Sequence, residues 1–453
     1  MTALDEMVWT LLNEAAEVYG AGRIQPLFDR LGEPLRVGVA GGPKCGKSTL
    51  INTFLGDRVA PLDIGQTFTR YEDGAAVGMM AHYSDGTRQE LSLARGADGA
   101  WACGQWADGA EEVVVSWPSR VLRHLSLVDS KPDCLPPQVD ALLYLDATDF
   151  QPLEMTLGVS AVTRAAPVDV IGVLSRADEV GGGRVDALVS ARQLARALSR
   201  EPSANSVTVT IVAVSGLLAQ AGLSLSEDDF ELLASLATMP REDLDDVLLS
   251  ADRFVGNEFF PPTGYGQRRD VLNRLGIHGL RLASALVRTG THTRADLASE
   301  LIRRSGLPEL QEVLNYHVIE RRDLLKSRSA LIALEALMED DPPPAELAAQ
   351  FERVLASAHE FRELRLLASL RNSSIGFASP LAKEARRLAG GDGPSTAARL
   401  GLDQEVPSDE LFQRGVVALR RWQEQADDPQ LSARQRRAAR IVVRSCEEML
   451  TSL

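Results

Sequence analysis

Two kinds of hydrophobic pattern divide the chain. Between residues 35 and 216, short continuous apolar runs alternate with helical stretches. Continuous runs of this length are typical of strands covered on both faces, so they indicate a mostly parallel sheet. The predicted strands cover residues 35–40, 113–117, 124–128, 141–145, 168–174 and 207–214. The glycine-rich, polar segment 74–110 is predicted to form hairpins or loops added to that sheet.

Beyond about residue 270, apolar positions recur only at helical spacing. Residues 307–340 predict one continuous helix, about 50 Å long at ~1.5 Å per residue, and the prolines at 342–344 must end it. Residues 346–371 predict a second helix, antiparallel to the first. Further helices are predicted at 380–389, 408–426 and 432–451. An apolar stripe in residues 4–20 predicts an N-terminal helix that packs on helices from later in the chain.

These patterns predict two architectures in one chain. Residues 33–270 form an α/β domain with a mostly parallel sheet and helices on both faces. Residues 271–453 form an elongated all-α bundle, and residues 1–32 pack with that bundle. A chain of 453 residues is long enough for such a division.

Composition and charge limit the binding partners and the cellular compartment that we expect for this chain. The formal net charge of −15 disfavours nucleic acid as a partner. The four cysteines form no CxxC pair, which disfavours a disulfide framework or a zinc site and indicates a reducing cytoplasm. No signal-peptide pattern begins the chain, and no apolar run approaches the ~18 residues that cross a bilayer. We therefore expect a cytoplasmic protein whose membrane contact is peripheral.

Residues 41–48 carry the most informative motif. They read Gly41-Gly42-Pro43-Lys44-Cys45-Gly46-Lys47-Ser48 and fit the phosphate-binding pattern G-x-x-x-x-G-K-[ST]. The predicted strand before the motif, and the helical run that starts at Thr49 after it, are the context this pattern requires. Backbone N–H groups of the loop and of the helix N-terminus would face phosphates. Lys47 would reach the β- and γ-phosphates, and the Ser48 hydroxyl would bind Mg²⁺.

Three strand ends favour GTP or GDP over ATP. Asp129 follows the strand at 124–128 and can hold Mg²⁺ through water. Asp178 can accept hydrogen bonds from guanine N1–H and the 2-amino group, a donor pair that adenine lacks. Carboxyl ends of parallel strands meet at one edge of a sheet, so these residues are expected in one site. The other predicted base contacts are Ser175 and Arg176, whose stem can cover the base, and Ser215 and Gly216, where the backbone can approach guanine O6.

With these residues in place, the chain resembles the bacterial dynamin-like GTPases. It is most similar to the actinobacterial isoniazid-inducible dynamin-like proteins of the shorter, IniC type. The stretches that carry the resemblance are 46–52, 175–184, 214–219, 249–255, 304–307, 322–331 and 397–403. The resemblance implies a P-loop GTPase domain at 33–270 with a helical neck and trunk at 271–453. It also implies self-assembly, or assembly with a second dynamin-like protein, and work at the inner face of the plasma membrane.

The sequence departs from the GTPase pattern at the third motif, D-x-x-G. Here it reads Asp129-Ser130-Lys131-Pro132. The missing glycine would donate a backbone N–H to the γ-phosphate, and proline has none. Either hydrolysis is impaired, or a shifted loop supplies another N–H group. Losing one such donor typically costs on the order of 10²-fold in rate, which predicts a slow GTPase.

Two further departures concern the catalytic residues, predicted as Lys44, Lys47 and Thr69. Family spacing places Phe68 where a Mg²⁺-binding threonine is expected, and a one-residue slip would bring in Thr67 or Thr69. We favour Thr69, because Thr69-Arg70 resembles the usual Thr-Arg pair. The ammonium of Lys44 could offset charge on the bridging oxygen, as an arginine finger does. It could equally point outward.

Alternatives remain open at this point. The chain could be a hydrolysis-impaired nucleotide-binding adaptor that regulates a paired, catalytically complete dynamin-like protein. Asp178 and the helical half disfavour a third class, an ATPase subunit of a transporter. A basic C-terminal stretch could meet anionic lipid or pair with acidic residues of neighbouring helices; it contains Arg434, Arg436, Arg437, Arg440 and Arg444. The break at 372–380 could touch lipid or form a turn in the bundle core.

Overall fold

The computed structural model describes residues 3–60, 67–96, 100–103, 109–129, 138–146, 169–201, 204, 208–256, 264–371, 374–402 and 406–453. The strands in these residues are β1 (Leu35–Gly41), β2 (Phe68–Asp73), β3 (Gly78–His82), β4 (Arg88–Glu90), β5 (Leu93–Arg95), β6 (Trp101–Cys103), β7 (Glu112–Trp117), β8 (Leu125–Asp129), β9 (Ala141–Asp146), β10 (Asp169–Leu174) and β11 (Thr210–Ala213).

Nine of these strands form one mixed sheet in the order β11-β10-β9-β1-β8-β2-β7-β3-β4. The five strands from β11 to β8 are mutually parallel, and β1 lies between β9 and β8. Strand β2 runs antiparallel to β8 and places Thr69 opposite Asp129. The parallel strands all end at the same edge, so the loop after β1 lies beside the ends of β8, β9, β10 and β11.

The predicted central strands are confirmed within one or two residues, except that the run at 207–214 yields a shorter strand, β11. The segment 74–110 contributes β3 and β4 at the sheet edge, and β5 and β6 pair as a separate hairpin, as expected. The sequence analysis missed β2, which pairs with both β7 and β8.

Helices cover the sheet on both faces. Alternate residues of β11 show this, because Val212 packs in one apolar core and Ile211 and Ala213 pack in another. The helices of this part are α3 (Lys47–Leu55), α4 (Ala187–Leu198), α5 (Gly216–Leu223), α6 (Glu227–Thr238), α7 (Arg241–Val247), α8 (Ala251–Gly256), α9 (Tyr265–Arg288), α10 (Arg294–Arg304) and α11 (Leu307–His317).

The remaining helices build two further cores. They are α1 (Ala3–Tyr19) and α2 (Ala21–Gly32) at the N-terminus, followed by α12 (Arg322–Asp340), α13 (Ala345–Ser357), α14 (His359–Arg371), α15 (Ser379–Leu388), α16 (Thr396–Leu400), α17 (Ser408–Asp427) and α18 (Ala433–Thr451). Helix α1 packs with α12 and α13. Helices α14 to α18 surround the fully buried Trp422.

The prediction of one continuous helix at 307–340 was wrong. Helix α11 ends at His317, a single 3₁₀ turn covers Ile319–Arg321, and α12 begins at Arg322. Leu310 and Leu314 of α11 pack under the sheet, as Leu325 at the start of α12 still does, whereas Leu331 and Leu334 further along α12 pack against α1. The second predicted helix, 346–371, is also interrupted, since Ala358 separates α13 from α14.

A buried ionic cluster joins the sheet to the helical part at the edge opposite the phosphate loop. Asp140, which precedes β9, is fully buried. Its carboxylate accepts hydrogen bonds from Arg30 of α2, from the Arg36 backbone N–H at 2.7 Å, and from Ser329 of α12. Arg328 of α12 donates to the Asp140 backbone carbonyl.

Among the described helices, none is both long and apolar enough to cross a membrane.

Candidate functional site

The phosphate loop takes the strand–loop–helix form that its motif predicts. Strand β1 ends at Gly41, and α3 begins at Lys47. A Cβ atom at Gly41 would collide with the Leu145 carbonyl oxygen, so only glycine fits there. Lys44 has a φ of 59° and Gly46 a φ of 100°, both in the left-handed region. A non-glycine residue held at positive φ is uncommon and is often found at functional sites.

Lys47 is held over this loop. Its ammonium donates hydrogen bonds to the carbonyl oxygens of Gly41 at 2.8 Å and Gly42 at 3.0 Å. Burial raises the pKa of the neighbouring Cys45 thiol, which Lys47 opposes only in part, so this thiol stays protonated at neutral pH. The first N–H groups of α3 lack partners within their own helix and point toward the loop. The loop therefore presents N–H donors and one ammonium to an anion.

Asp129, Thr69 and Ser48 were predicted to bind Mg²⁺. Asp129 ends β8, and its Oδ1 is buried without a hydrogen-bond partner in the described part of the chain. Burial raises the pKa of Asp129 to about 6, against the opposing effect of the Lys47 ammonium. Thr69 is buried in β2, directly opposite Asp129 in the strand register. The Thr67 hydroxyl instead donates to the Ala110 carbonyl at 3.3 Å, which favours Thr69 of the two.

An orphaned carboxylate oxygen opposite a threonine fits a hydrated Mg²⁺ ion, because Mg²⁺ prefers oxygen ligands and keeps several waters. Ser48 lies at the start of α3 and lines a second cavity. Within the described residues, no group of three His, Cys, Asp or Glu side chains could hold a metal alone. A metal here would depend on the hydroxyls, on water and on the phosphates. Ser130, Lys131 and Pro132 lie outside the described residues.

Except for Ser215, the residues predicted to contact the base form the lining of one cavity of about 200 Å³ together with part of the phosphate loop. Asp178 lies in a 3₁₀ turn that follows β10. Arg176 has a φ of 53°, and its exposed guanidinium pairs with Glu179 at 3.1 Å. The Ser175 hydroxyl is buried without a hydrogen-bond partner in the described residues. The predicted site residues that line this cavity are Lys44, Cys45, Gly46, Thr49, Ser175, Arg176, Asp178 and Gly216.

The structure gives Ser215 a different place from the one predicted. Ser215 is fully buried and caps α5, where its hydroxyl accepts a hydrogen bond from the Leu218 N–H at 3.2 Å. Its own N–H donates to the Ser305 carbonyl at 2.8 Å. Gly216, the first residue of α5, lines the cavity, and a Cβ atom there would lie 3.1 Å from Thr49 Cγ2. Of the two residues predicted to approach guanine O6, Gly216 lines the cavity and Ser215 does not.

Sequence reasoning missed several lining residues. Leu217 and Glu179 directly follow the two base-reading motifs, so proximity in sequence could have found them. Leu145 near the end of β9 lies between the phosphate loop after β1 and the motif after β10, and only the strand order brings it there.

The residues considered for lipid contact lie elsewhere. Ile375 is buried in the core of helices α14 to α18, and Phe377 packs edge-on against Trp422 at 5.7 Å between ring centroids. These contacts favour a core turn at 374–380 over a lipid-touching loop. Of the basic residues on α18, Arg444 pairs with Glu448 at 3.0 Å, and Arg434 donates to the Ser374 hydroxyl at 3.0 Å.

Comparison with known proteins identifies relatives of this chain. No family model matches it. The isoniazid-induced protein IniC of Mycobacterium tuberculosis, from strain CDC 1551 / Oshkosh and from strain ATCC 25618 / H37Rv, is 34% identical over 450 residues. The alignment covers 93% of this chain and 91% of that protein.

Two solved structures also align, both from work described as "An oligomerised bacterial dynamin pair provides a mechanism for the long range sensing and tethering of membranes". They cover 95% and 99% of this chain, and 86% and 74% of their own, at 11% identity. Their TM-scores of 0.29 and 0.27 are too low to bear on the fold. Through its 34% identity to IniC over almost the whole length, the chain belongs to the IniC-type dynamin-like proteins.

Proposed function

We propose that the chain binds GTP and GDP with Mg²⁺ and hydrolyses GTP slowly. It would act peripherally at the inner face of the bacterial plasma membrane, in membrane remodelling or maintenance. It would do so by assembly with itself or with a second dynamin-like protein. The observation that supports the proposal most is the single cavity lined by both the phosphate loop and Asp178.

The base end of the cavity favours guanine. The Asp178 carboxylate accepts from N1–H and the 2-amino group, which adenine does not offer. The N–H of Gly216, a first-turn group without a partner in its own helix, can donate to O6. The stem of Arg176 covers one face of the base, with its head paired to Glu179.

The phosphate end favours a triphosphate or diphosphate. On binding, the Lys47 ammonium exchanges the carbonyls of Gly41 and Gly42 for phosphate oxygens, a stronger charge-assisted contact. Ser48, Thr69 and Asp129 supply oxygen ligands to the ion and its waters. Bound Mg²⁺ neutralises charge on the β- and γ-phosphates.

Slow turnover is proposed from the chain's own residues. Phosphoryl transfer depends on positioning and electrostatic stabilisation. The sequence Asp129-Ser130-Lys131-Pro132 removes one N–H donor to the γ-phosphate. Lys44, held at positive φ on the cavity wall, offers a cation near the loop in its place. The membrane site and the assembly are proposed from membership of the dynamin-like family.

Calorimetric titration with GDP, ADP and XDP in the presence of Mg²⁺ tests the nucleotide assignment. GDP should bind the wild-type chain, and the Lys47→Ala variant should lose that binding while remaining folded by circular dichroism. The Asp178→Asn variant should lose about 10²-fold in GDP affinity, since two charge-assisted hydrogen bonds are disturbed, and should gain affinity for XDP. The neighbouring Glu179→Gln variant serves as the matched control and should keep guanine preference. ADP binding equal to GDP binding would contradict the proposal.

GTP turnover separates the slow GTPase from the adaptor. Phosphate release is measured for the chain alone and with a second dynamin-like protein from the same cell. Slow release above background supports a GTPase. Intact GDP binding with turnover at background favours the adaptor that regulates its partner.

A further inference from the structure

A groove rich in arginine lies far along the chain from the nucleotide site, between α14 and α18. It encloses about 440 Å³ and has an apolar floor that includes Leu366 and Ile375. Its rim carries four arginines, Arg362 and Arg365 from α14 and Arg434 and Arg437 from α18. Within the described residues, none of the four forms an ion pair with a carboxylate. We call these residues the arginine groove.

The hydrogen-bond partners of the guanidinium groups in the arginine groove are neutral oxygen atoms. The Arg362 guanidinium donates twice to the Ala356 carbonyl, at 3.2 and 2.6 Å. Arg434 donates to the Ser374 hydroxyl. Burial and the nearby Arg362 charge both lower the pKa of Arg365. Four arginines that line one groove, with no carboxylate partner among the described residues, form a complementary surface for an anionic group in a chain of net charge −15.

A surface of matching chemistry exists on the same chain, at α7. Glu242, Asp245 and Asp246 follow the spacing i, i+3 and i+4 and share one face of α7, and Leu249 lies in the turn that follows the end of this helix. The three acids are exposed, and Leu249 is 61% exposed, with the opposite face buried through Leu244 and Val247. None of the three carboxylates forms an ion pair in the described part of the chain. We call this the acidic face.

We propose that the arginine groove of one copy receives the acidic face of a second copy. The carboxylates would meet the guanidinium rim, and Leu249 would lie on the apolar floor. Each copy carries one groove and one face in different parts of the molecule, so the contact is head-to-tail and can propagate into rings or filaments. The contact uses no residue of the nucleotide site, and it rests on the self-assembly that is part of the function proposed above.

The expected contact is small and electrostatic. One seven-residue helix in a groove buries less than the ~1,200 Å² of stable complexes, so each contact is weak. The net repulsion between two acidic copies is screened beyond a Debye length of about 8 Å at physiological ionic strength. The paired charges lie much closer than that. Association should therefore weaken in high salt.

Charge reversal on each side tests the proposal by sedimentation velocity of the full chain over a concentration series. Arg362→Glu with Arg437→Glu reverses the groove, and Asp245→Arg with Asp246→Arg reverses the face. Each double variant alone should associate at least tenfold more weakly than wild type. A mixture of the two should recover association, because each then meets a complementary surface on the other. Arg420→Glu with Arg440→Glu is the control of equal charge, and it should associate like wild type.

Three results would overturn the proposal. The first is a wild-type chain that stays monomeric across the concentration series. The second is a mixture of the two reversed variants that does not recover association although circular dichroism shows both to be folded. The third is a groove reversal that abolishes sedimentation with phosphatidylglycerol vesicles while the face reversal leaves self-association unchanged. That result would assign the arginine groove to a lipid phosphate.

Discussion

At the residue scale, Asp129 combines burial with an unsatisfied charge. Its Oδ1 has no hydrogen-bond partner among the described residues, and burial raises its pKa to about 6. The folded state therefore holds a proton that the unfolded chain releases near pH 4. We expect Asp129→Asn to raise the free energy of unfolding of the nucleotide-free chain at pH 8, by up to about 3 kcal/mol. Urea denaturation measures the difference.

The sign of the pH dependence checks this reasoning. A carboxyl whose pKa is raised on folding stabilises the fold below its unfolded pKa, and this contribution is lost as pH rises through about 6. The advantage of Asp129→Asn should therefore shrink at pH 5, where wild-type Asp129 is largely protonated. The same variant should lose the Mg²⁺-dependent part of its GDP affinity. An Asp129→Asn chain that is less stable at pH 8 would contradict the account.

The positions of some site residues could be predicted from the sequence, and those of others could not. The phosphate loop could be predicted from eight adjacent residues because its geometry is local, and Gly41 and Gly46 take the backbone conformations that glycine permits. Ser215 and Gly216 are adjacent, yet one faces the interior and the other the cavity. That difference arises from the Ser305 carbonyl, which is 90 residues away in sequence and holds the Ser215 N–H.

At the scale of elements, the first turn of α5 depends on the Ser215 cap. The hydroxyl satisfies the Leu218 N–H, one of the groups that a helix start leaves unpaired. We expect Ser215→Ala to lower the free energy of unfolding by about 1 kcal/mol, with GDP affinity changed less than twofold. Ser395→Ala, which removes the corresponding cap of α16, is the matched control. A tenfold loss of GDP affinity in Ser215→Ala but not in Ser395→Ala would show that Ser215 takes part in nucleotide binding.

The junction of α14, α16 and α18 contains a buried carboxylate with a low pKa. Burial alone would raise the pKa of Glu363, but hydrogen bonds from His359 and from the Arg399 guanidinium outweigh it and bring the pKa to about 2. The Arg399 contacts are bidentate, at 2.5 and 3.0 Å. Glu363 therefore stabilises the fold above its unfolded pKa, and that contribution falls as pH drops from about 4.5 toward 2.

We expect Glu363→Gln to cost on the order of 3 kcal/mol at pH 7 and much less at pH 3, measured by urea unfolding at both values. The exposed pair of Glu300 with Arg303 is the control. Glu300→Gln should cost less than about 1 kcal/mol, since solvent screens that pair. An equal loss in the free energy of unfolding in both variants at pH 7 would show that burial does not strengthen the contribution of Glu363 to stability.

Helix boundaries in this chain follow tertiary packing where local signals are weak. Residues 318–321 contain neither glycine nor proline, so no local signal predicts a break of the helix there. The break occurs because α11 follows the sheet and α12 follows α1, and Arg321 donates to the Gly390 carbonyl at the bend. Helix α2 was missed for the opposite reason. Gly22 and Pro26 signal a break, but the buried Ile24 and Arg30 hold the helix in place.

At the scale of the whole molecule, Asp140 connects the sheet to the helices around it. One carboxylate receives Arg30 of α2, the Arg36 N–H and Ser329 of α12, so a single residue ties three elements together. This edge of the sheet is opposite the phosphate loop. The division of the chain at 33–270 and 271–453 remains a prediction, and residues 307–325 contribute apolar side chains to the sheet core.

We expect Asp140→Asn to lower the free energy of unfolding by about 3 kcal/mol or more, because removing one partner leaves the Arg30 charge buried and uncompensated. The pair of Arg23 with Asp341 offers a control, since it also ties the N-terminal helices to α12 but is about half exposed on both sides. Asp341→Asn should cost less than about 1 kcal/mol. Urea unfolding followed by circular dichroism and by tryptophan fluorescence also reports coupling. If Asp140 couples the sheet to the helical part, the unfolding curves from the two probes should coincide in wild type and separate in Asp140→Asn. Coincident curves and an unchanged free energy of unfolding in Asp140→Asn would contradict this role.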